Sequence, residues 1–394
     1  MQLNRTTSEQ SDHVIQSSLQ QEIGSERVRK ILLLTAGFGE GHNTAARNMS
    51  EALLEYPGIE TAVVDVYLVK VPRFTKFLQE AYSLAINRFP MIWGLIFNFL
   101  NRPGILEKTL FLSSGLRRAV GKTVSDVKPD VIISTYPLYA FLLRQLRESC
   151  HVACHAPLVT MITDSTAINT SWYRAGSEFF LVADEESASV LKNDKVPSEK
   201  VKVFGFPVAP RLASLTPLPE TATSPWKILY LPSSNATHAI ETIRALSELA
   251  DIQITVVTGR LTNLHVALER SSIIEGDRIQ LIGWTDQMPE LLTSHHLYIG
   301  KAGGAIIHEA MAAQCPVLVS HVVPGQEEGN IELIERHNIG RLAAHYPRTL
   351  AASVEEVFSC NAATWRRWKK NLSTITSPLA SRDIAAFIVE MIKD

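Results

Sequence analysis

The sequence predicts an α/β fold: two Rossmann-like, doubly wound domains facing each other across a cleft. Three observations carry this expectation. Short apolar runs alternate with amphipathic stretches of helical length in both halves of the chain. A glycine turn joins a strand to a helix in each half, at 37–42 and at 300–304. Between the halves lies LASLTPLPETATSPW, rich in Pro and Thr and without periodicity, as a linker should be. The boundaries are then a disordered tail over 1–29, a first domain over 30–211, a linker over 212–225 and a second domain over 226–394. The last helix is a candidate to pack back on the first domain.

In chain order, KILLLTA reads as a buried strand and NTAARNMSEALLEY as a helix that Pro57-Gly58 ends. ETAVVDVYLV follows as the second strand of a strand–helix–strand unit. Residues 72–122 contain no turn-bounded strand. They read as helices with many aromatics (Phe74, Tyr82, Trp93 and Phe97 among them) and interspersed basic residues. Such a segment is either a helical insertion packed on the sheet or an interfacial membrane contact, with Trp93 a candidate acceptor-side residue. Strands resume at PDVIISTYP, PLVTMITD, EFFLVAD and KVKVFGFPV, and after the linker at WKILYLPSS, DIQITVVTGR, RIQLIGW, LYIGK and PVLVS.

Composition excludes several classes. With 394 residues, 46% of them hydrophobic, the chain can bury a two-domain core. A formal charge of -2 lacks the basic footprint of a nucleic-acid-binding protein. Four irregularly spaced cysteines suggest no disulfide framework, so a reducing cytoplasm is expected. The amino terminus lacks the apolar core of a signal peptide, and MIWGLIFNFL has about half the ~20 residues of a spanning helix.

The stretch GKAGGAIIHEAMAAQCPVLVSHVVPGQEEGN carries the strongest chemical signal. Gly303 and Gly304 precede a helix, so free amides and the positive helix end face outward, a favourable seat for a diphosphate. Glu309, one turn past Ala305 on the same face, could accept from ribose hydroxyls. Gln326, Glu327 and Asn330 supply donors and acceptors for a polyhydroxylated ligand, so a nucleotide-sugar site is expected there. Lys301 is a further candidate to offset diphosphate charge, because no Asp-x-Asp metal motif occurs. In the first domain, His42 stands at a helix start on the carboxyl edge of the sheet. There the helix end should lower its pKa and leave it able to accept a proton. Against that stands a histidine that serves only as a cap. Asp164, Tyr136 and Gly41 are expected at the same edge, Tyr136 and Gly41 as acceptor-side residues, where Asp164 could orient His42, bind an acceptor hydroxyl or serve only as a turn residue. Thr258-Gly259-Arg260 and Gly283 to Met288 should lie on the cleft rim. A dinucleotide fingerprint fails at His42, where the third glycine should be, although Asp65 stands where a ribose carboxylate could. CHVACH at 150–155 fits no closed zinc pattern.

TAGFGEGH, MITD, KVKVFGFPVAPRL, VVTGR, GWTDQMPELL and the long glycine-turn block together resemble the monogalactosyldiacylglycerol synthases and the processive diacylglycerol glucosyltransferases. The resemblance spans nearly all of 30–345, and its last block also resembles the N-acetylglucosaminyltransferase of the peptidoglycan lipid precursor. It implies a GT-B fold and a peripheral membrane enzyme at the cytoplasmic face. It implies single-displacement, inverting transfer of glucose or galactose from a UDP-sugar to diacylglycerol or a similar lipid, without cofactor or metal. Carried over residue by residue, it assigns donor contacts to Gly303, Gly304, Glu309, Gln326, Glu327 and Asn330, and places His42 on the acceptor side as base. The sequence departs from the family at Ser233-Ser234-Asn235, at STAINTSWYR after Asp164, and at Tyr136 before Pro137. Two other readings stay open: a UDP-sugar epimerase of the same fold, and an inactive nucleotide-sugar-binding relative.

Overall fold

The computed structural model describes residues 27–37, 40–70, 114–149, 155–165, 168–274, 276–323, 327–375 and 377–393. The tail, most of the 72–122 segment with Trp93, the cysteines of CHVACH, and Gln326 therefore lie outside the described residues.

The first sheet contains β1 (Arg29–Thr35), β2 (Ile59–Asp65), β3 (Val131–Ser134), β4 (Leu158–Met161), β5 (Phe179–Val182) and β6 (Val201–Val203). Its order is β2-β1-β3-β4-β5-β6, and every paired register is parallel. The described α-helices of this half are α1 (Glu40–Leu53), α2 (Val66–Lys70), α3 (Ser114–Val127), α4 (Leu138–Glu148) and α5 (Glu185–Asn193). Helices on both faces explain why β1 reads as an unbroken apolar run: Ile31, Leu32, Leu33 and Leu34 are all fully buried.

The second sheet holds β7 (Trp226–Tyr230), β8 (Ile252–Val257), β9 (Ile279–Ile282), β10 (Leu297–Lys301), β11 (Val317–His321) and β12 (Gly340–Leu342). Its order is β12-β11-β10-β7-β8-β9, again parallel in every pair. Around it lie α6 (Ala236–Ser247), α7 (Thr262–Glu269), α8 (Met288–Ser294), α9 (Gly304–Ala312), α10 (Glu328–Arg336), α11 (Pro347–Ile375) and α12 (Ala380–Met391). Backbone angles at Ser359–Ala362 are not helical, so α11 is two helices joined at a kink. The short edge strand β12 has no period-2 pattern and is not among the strands read from sequence. Gly340 admits it: a Cβ there would run into the Val317 carbonyl. Gly340→Ala should cost about 2 kcal/mol through that overlap, read as a lower denaturant midpoint. An unchanged midpoint would show that the edge relaxes freely.

Chain order fixes where ligands can bind. In the first sheet the connections diverge between β1 and β3, and in the second between β7 and β10, leaving a crevice at the carboxyl ends of each pair. The β1 crevice leads into α1 and the β10 crevice into α9. These two helices pack on each other within one apolar core shared by both sheets. Helix α12 lies against α1, with Ile384, Ala385 and Ile388 fully buried. The Phe387 ring meets Phe179 at 5.0 Å, and Arg382 pairs with Glu55 at 3.0 Å. No described helix is long and apolar enough to cross a membrane.

Candidate active site

Helix α1 carries His42 in its first turn. Its Nδ1 and the Thr163 hydroxyl are 2.8 Å apart, and its backbone carbonyl accepts from the Thr135 hydroxyl at 3.2 Å. Tyr136 meets the imidazole edge-on at 5.3 Å, and the Trp172 ring lies 5.9 Å away. This walled-in position lowers the His42 pKa by burial, while the nearby Asp164 charge pulls it up. The sequence-based expectation had the direction right and the cause wrong: desolvation, not the helix end, is the largest contribution.

Strand β4 ends at Met161, so Asp164 stands in the following loop rather than at a strand end. Its Oδ2 accepts from the Trp172 indole at 2.6 Å. Burial raises its pKa, and both His42 and the indole N–H lower it. The imidazole and the carboxylate therefore form a half-dry pair in which one charge supports the other. Gly41 adjoins them with no atom within 4 Å of where its Cβ would stand. The alternative ribose carboxylate, Asp65, is committed elsewhere: it accepts from the Gly37 amide at 2.8 Å and the Leu68 amide at 3.0 Å. It is a loop-holding residue.

The second domain contributes the head of α9. Gly303 is its N-cap and so has no side chain of its own to satisfy the first amides. A Cβ on Gly303 would stand 3.2 Å from the Lys301 side chain and 3.6 Å from Glu327 Oε1. Lys301 pairs with Glu327 at 3.2 Å, and Glu327 Oε2 accepts from the Val323 amide at 3.0 Å. Glu327 thus holds the loop and the lysine beside the turn. Asn330 donates to the Ala302 carbonyl at 2.8 Å, while its Oδ1 is buried and accepts no hydrogen bond from the described residues. A buried acceptor left over beside a glycine turn suits a ligand hydroxyl. Ala305 is half-buried in the next position of the helix.

Glu309 differs most from its expected place. It is 7% exposed and turned toward the first domain, where Asn48 of α1 donates to it at 3.5 Å. Burial raises its pKa to about 7 against the opposing pull of Asn48, Arg47 and Arg211. As described, this carboxylate is an interdomain contact and not an open ribose seat. Arg260 bridges the rim instead, 3.8 Å from Glu40 and stacked over Trp284 at 5.6 Å. Asn235 caps α6 by accepting from the His238 amide at 3.1 Å.

The two half-sites touch. The Thr163 carbonyl lies 3.2 Å from where a Cβ on Gly304 would be, so any larger residue would push the α9 head and the loop that holds His42 apart by a few tenths of an ångström. Sequence reading brought His42, Asp164, Tyr136, Gly303, Gly304 and Asn330 to this place. It missed Thr163, Trp172 and Asn48, whose only signal is closeness to residues already singled out.

The family model for Monogalactosyldiacylglycerol (MGDG) synthase matches residues 42–208. A processive diacylglycerol beta-glucosyltransferase of Staphylococcus haemolyticus is 26% identical over 329 residues, covering 80% of this chain and 81% of the relative. Over most of its length the chain is similar to glycosyltransferases named for glycolipid synthesis. Among solved structures, the Staphylococcus aureus MnaA–UDP complex matches with a TM-score of 0.59 at 13% identity, over 93% of this chain and 97% of that one. MurG of Acinetobacter baumannii matches with 0.57 at 12% identity, over 92% and 99%. The chain therefore shares the two-domain GT-B fold of these structures.

Proposed function

We propose that this protein is an inverting, metal-independent glycosyltransferase that moves glucose or galactose from a UDP-sugar to diacylglycerol or a similar lipid at a membrane surface. One observation carries the reading. A half-buried imidazole–carboxylate pair stands beside a glycine-turn helix of the second domain, with Gly304 against the Thr163 carbonyl. The names of the relatives, among them a diacylglycerol glucosyltransferase, supply the substrate class.

With Nδ1–H donating to Thr163, His42 presents the Nε2 lone pair to an acceptor hydroxyl. That nitrogen takes the hydroxyl proton as the oxygen attacks the anomeric carbon. The bond from that carbon to the diphosphate oxygen breaks, and UDP leaves toward the α9 amides and Lys301. Asp164 stabilises the imidazolium formed. Backbone amides, the helix dipole and the lysine offset diphosphate charge where other transferases use a divalent ion. Asn330 Oδ1 is available to a sugar or ribose hydroxyl.

Pure protein should be incubated with a panel of UDP-sugars and vesicles containing diacylglycerol, with and without chelator. The expected product has the mass of a hexosyl-diacylglycerol with inverted anomeric configuration, formed equally in chelator. Sugar interconversion without vesicles would mark an epimerase, and UDP binding without turnover an inactive relative. Either outcome overturns the proposal.

A further inference from the structure

Three consecutive residues of the loop after β4 connect the two half-sites. Thr163 holds His42 Nδ1 and abuts Gly304; Asp164 is the carboxylate of the pair. Ser165, next in line, places its hydroxyl 2.8 Å from His308 Nε2 on α9. The two residues are 143 positions apart, on opposite sides of the domain boundary, and both are buried, at 6% and 7% exposed. The other partner of His308 is also in the first domain: its ring stacks on Phe206 at 4.9 Å, 3° from parallel. Burial pushes the His308 pKa down to about 4, the Asp184 charge opposing, so at neutral pH the ring is uncharged.

We propose that the Ser165–His308 hydrogen bond is a positioning contact that sets the distance and angle between the His42 base and the glycine turn of α9. The inference rests on the transferase reading above and names residues which that reading does not use. Packing alone asks for no polar pair here. A leucine or phenylalanine at 308 would cover Phe206 equally well, whereas a hydroxyl and an imidazole must shed water to meet. Buried polar pairs of this kind select one arrangement of surfaces that apolar packing would let slide. The arrangement selected is the one in which base and donor helix stand in register. Neither residue needs to touch a substrate.

Two single variants and their combination test the contact. His308→Phe keeps a ring on Phe206 and removes the nitrogen; Ser165→Ala removes the hydroxyl. Each should lower kcat about tenfold, the effect of one lost hydrogen bond on reacting-group alignment, with donor KM and UDP affinity by calorimetry unchanged. The double variant should fall no further than either single one, and His308→Gln, which restores a polar group within reach of Ser165, should recover most of the loss. Additive losses, or lowered unfolding midpoints with unchanged kcat, would mean that the pair only packs. Should the wild type show no transfer at all, hydrogen exchange still decides. Ser165→Ala should then loosen the amides of 304–312, and His308→Phe those of 158–165. Equal protection in wild type and variants would overturn the positioning role whatever the chemistry.

Discussion

His42→Ala should lower kcat about a thousandfold, the usual loss when a positioned general base is removed, while UDP affinity stays within about twofold. The separation follows from the architecture. His42 belongs to α1 and the first sheet, whereas the α9 amides, Lys301 and Asn330 belong to the second. The pH profile carries the same signature. Burial lowers the His42 pKa from its ordinary 6.5, and the base works when unprotonated. Activity should therefore persist as pH falls to 6.5 and be lost only below it. Asp164→Asn removes the charge that raises this pKa, so it should shift the acid limb lower still while reducing the maximum rate. An acid limb above 6.5, or full activity in His42→Ala, would assign the base to another group.

Glu309→Gln should stabilise the protein by about 3 kcal/mol at pH 8 and leave it unchanged near pH 4.5. The sign follows from the direction of the shift. The folded carboxyl titrates at about 7 and the unfolded one at 4.5. Between those values the unfolded chain gives up its proton and the folded chain keeps it, so wild-type stability falls as pH rises through that window and levels off above it. Glutamine imitates the protonated form, keeps the contact with Asn48 and has nothing to ionise. Denaturant unfolding at pH 5 and pH 8 measures the difference. An equal gain at both values would remove ionisation as the cause. A loss at pH 8 would mean that Arg47 and Arg211 hold the group charged.

Glu309 also shows how far the sequence reading reaches. It lies one turn past the glycine turn, and from helical spacing alone it belongs to the face that meets a ribose. The spacing is right and the helix is where it was expected. The neighbouring helix α1, 261 residues away in sequence, occupies that side with Asn48. His308 reads as one more position on an apolar helix face, and nothing local distinguishes it from a core residue. Its partner is a serine in another domain. Trp172 belongs to a stretch with no periodicity, yet it is fully buried and donates to Asp164.

What the sequence determined by itself is everything that depends on local period and turn chemistry. Apolar runs become parallel strands, glycine turns open helices at 40 and 304, and a Pro/Thr linker separates two similar sheets. Those features suffice to put His42 and the Gly303–Gly304 turn at the carboxyl edges of their sheets, because strand order and right-handed crossovers leave crevices only there. Only the tertiary structure decided which side chains meet across the boundary: Thr163 with His42 and Gly304, Asn48 with Glu309, Ser165 with His308. The reason is physical. Periodicity reports which face of an element is buried, since burial is a property of that face alone. The partner on the other side is set by how two independently folded surfaces fit, and the hydrogen bonds and pKa values of the site follow from that fit.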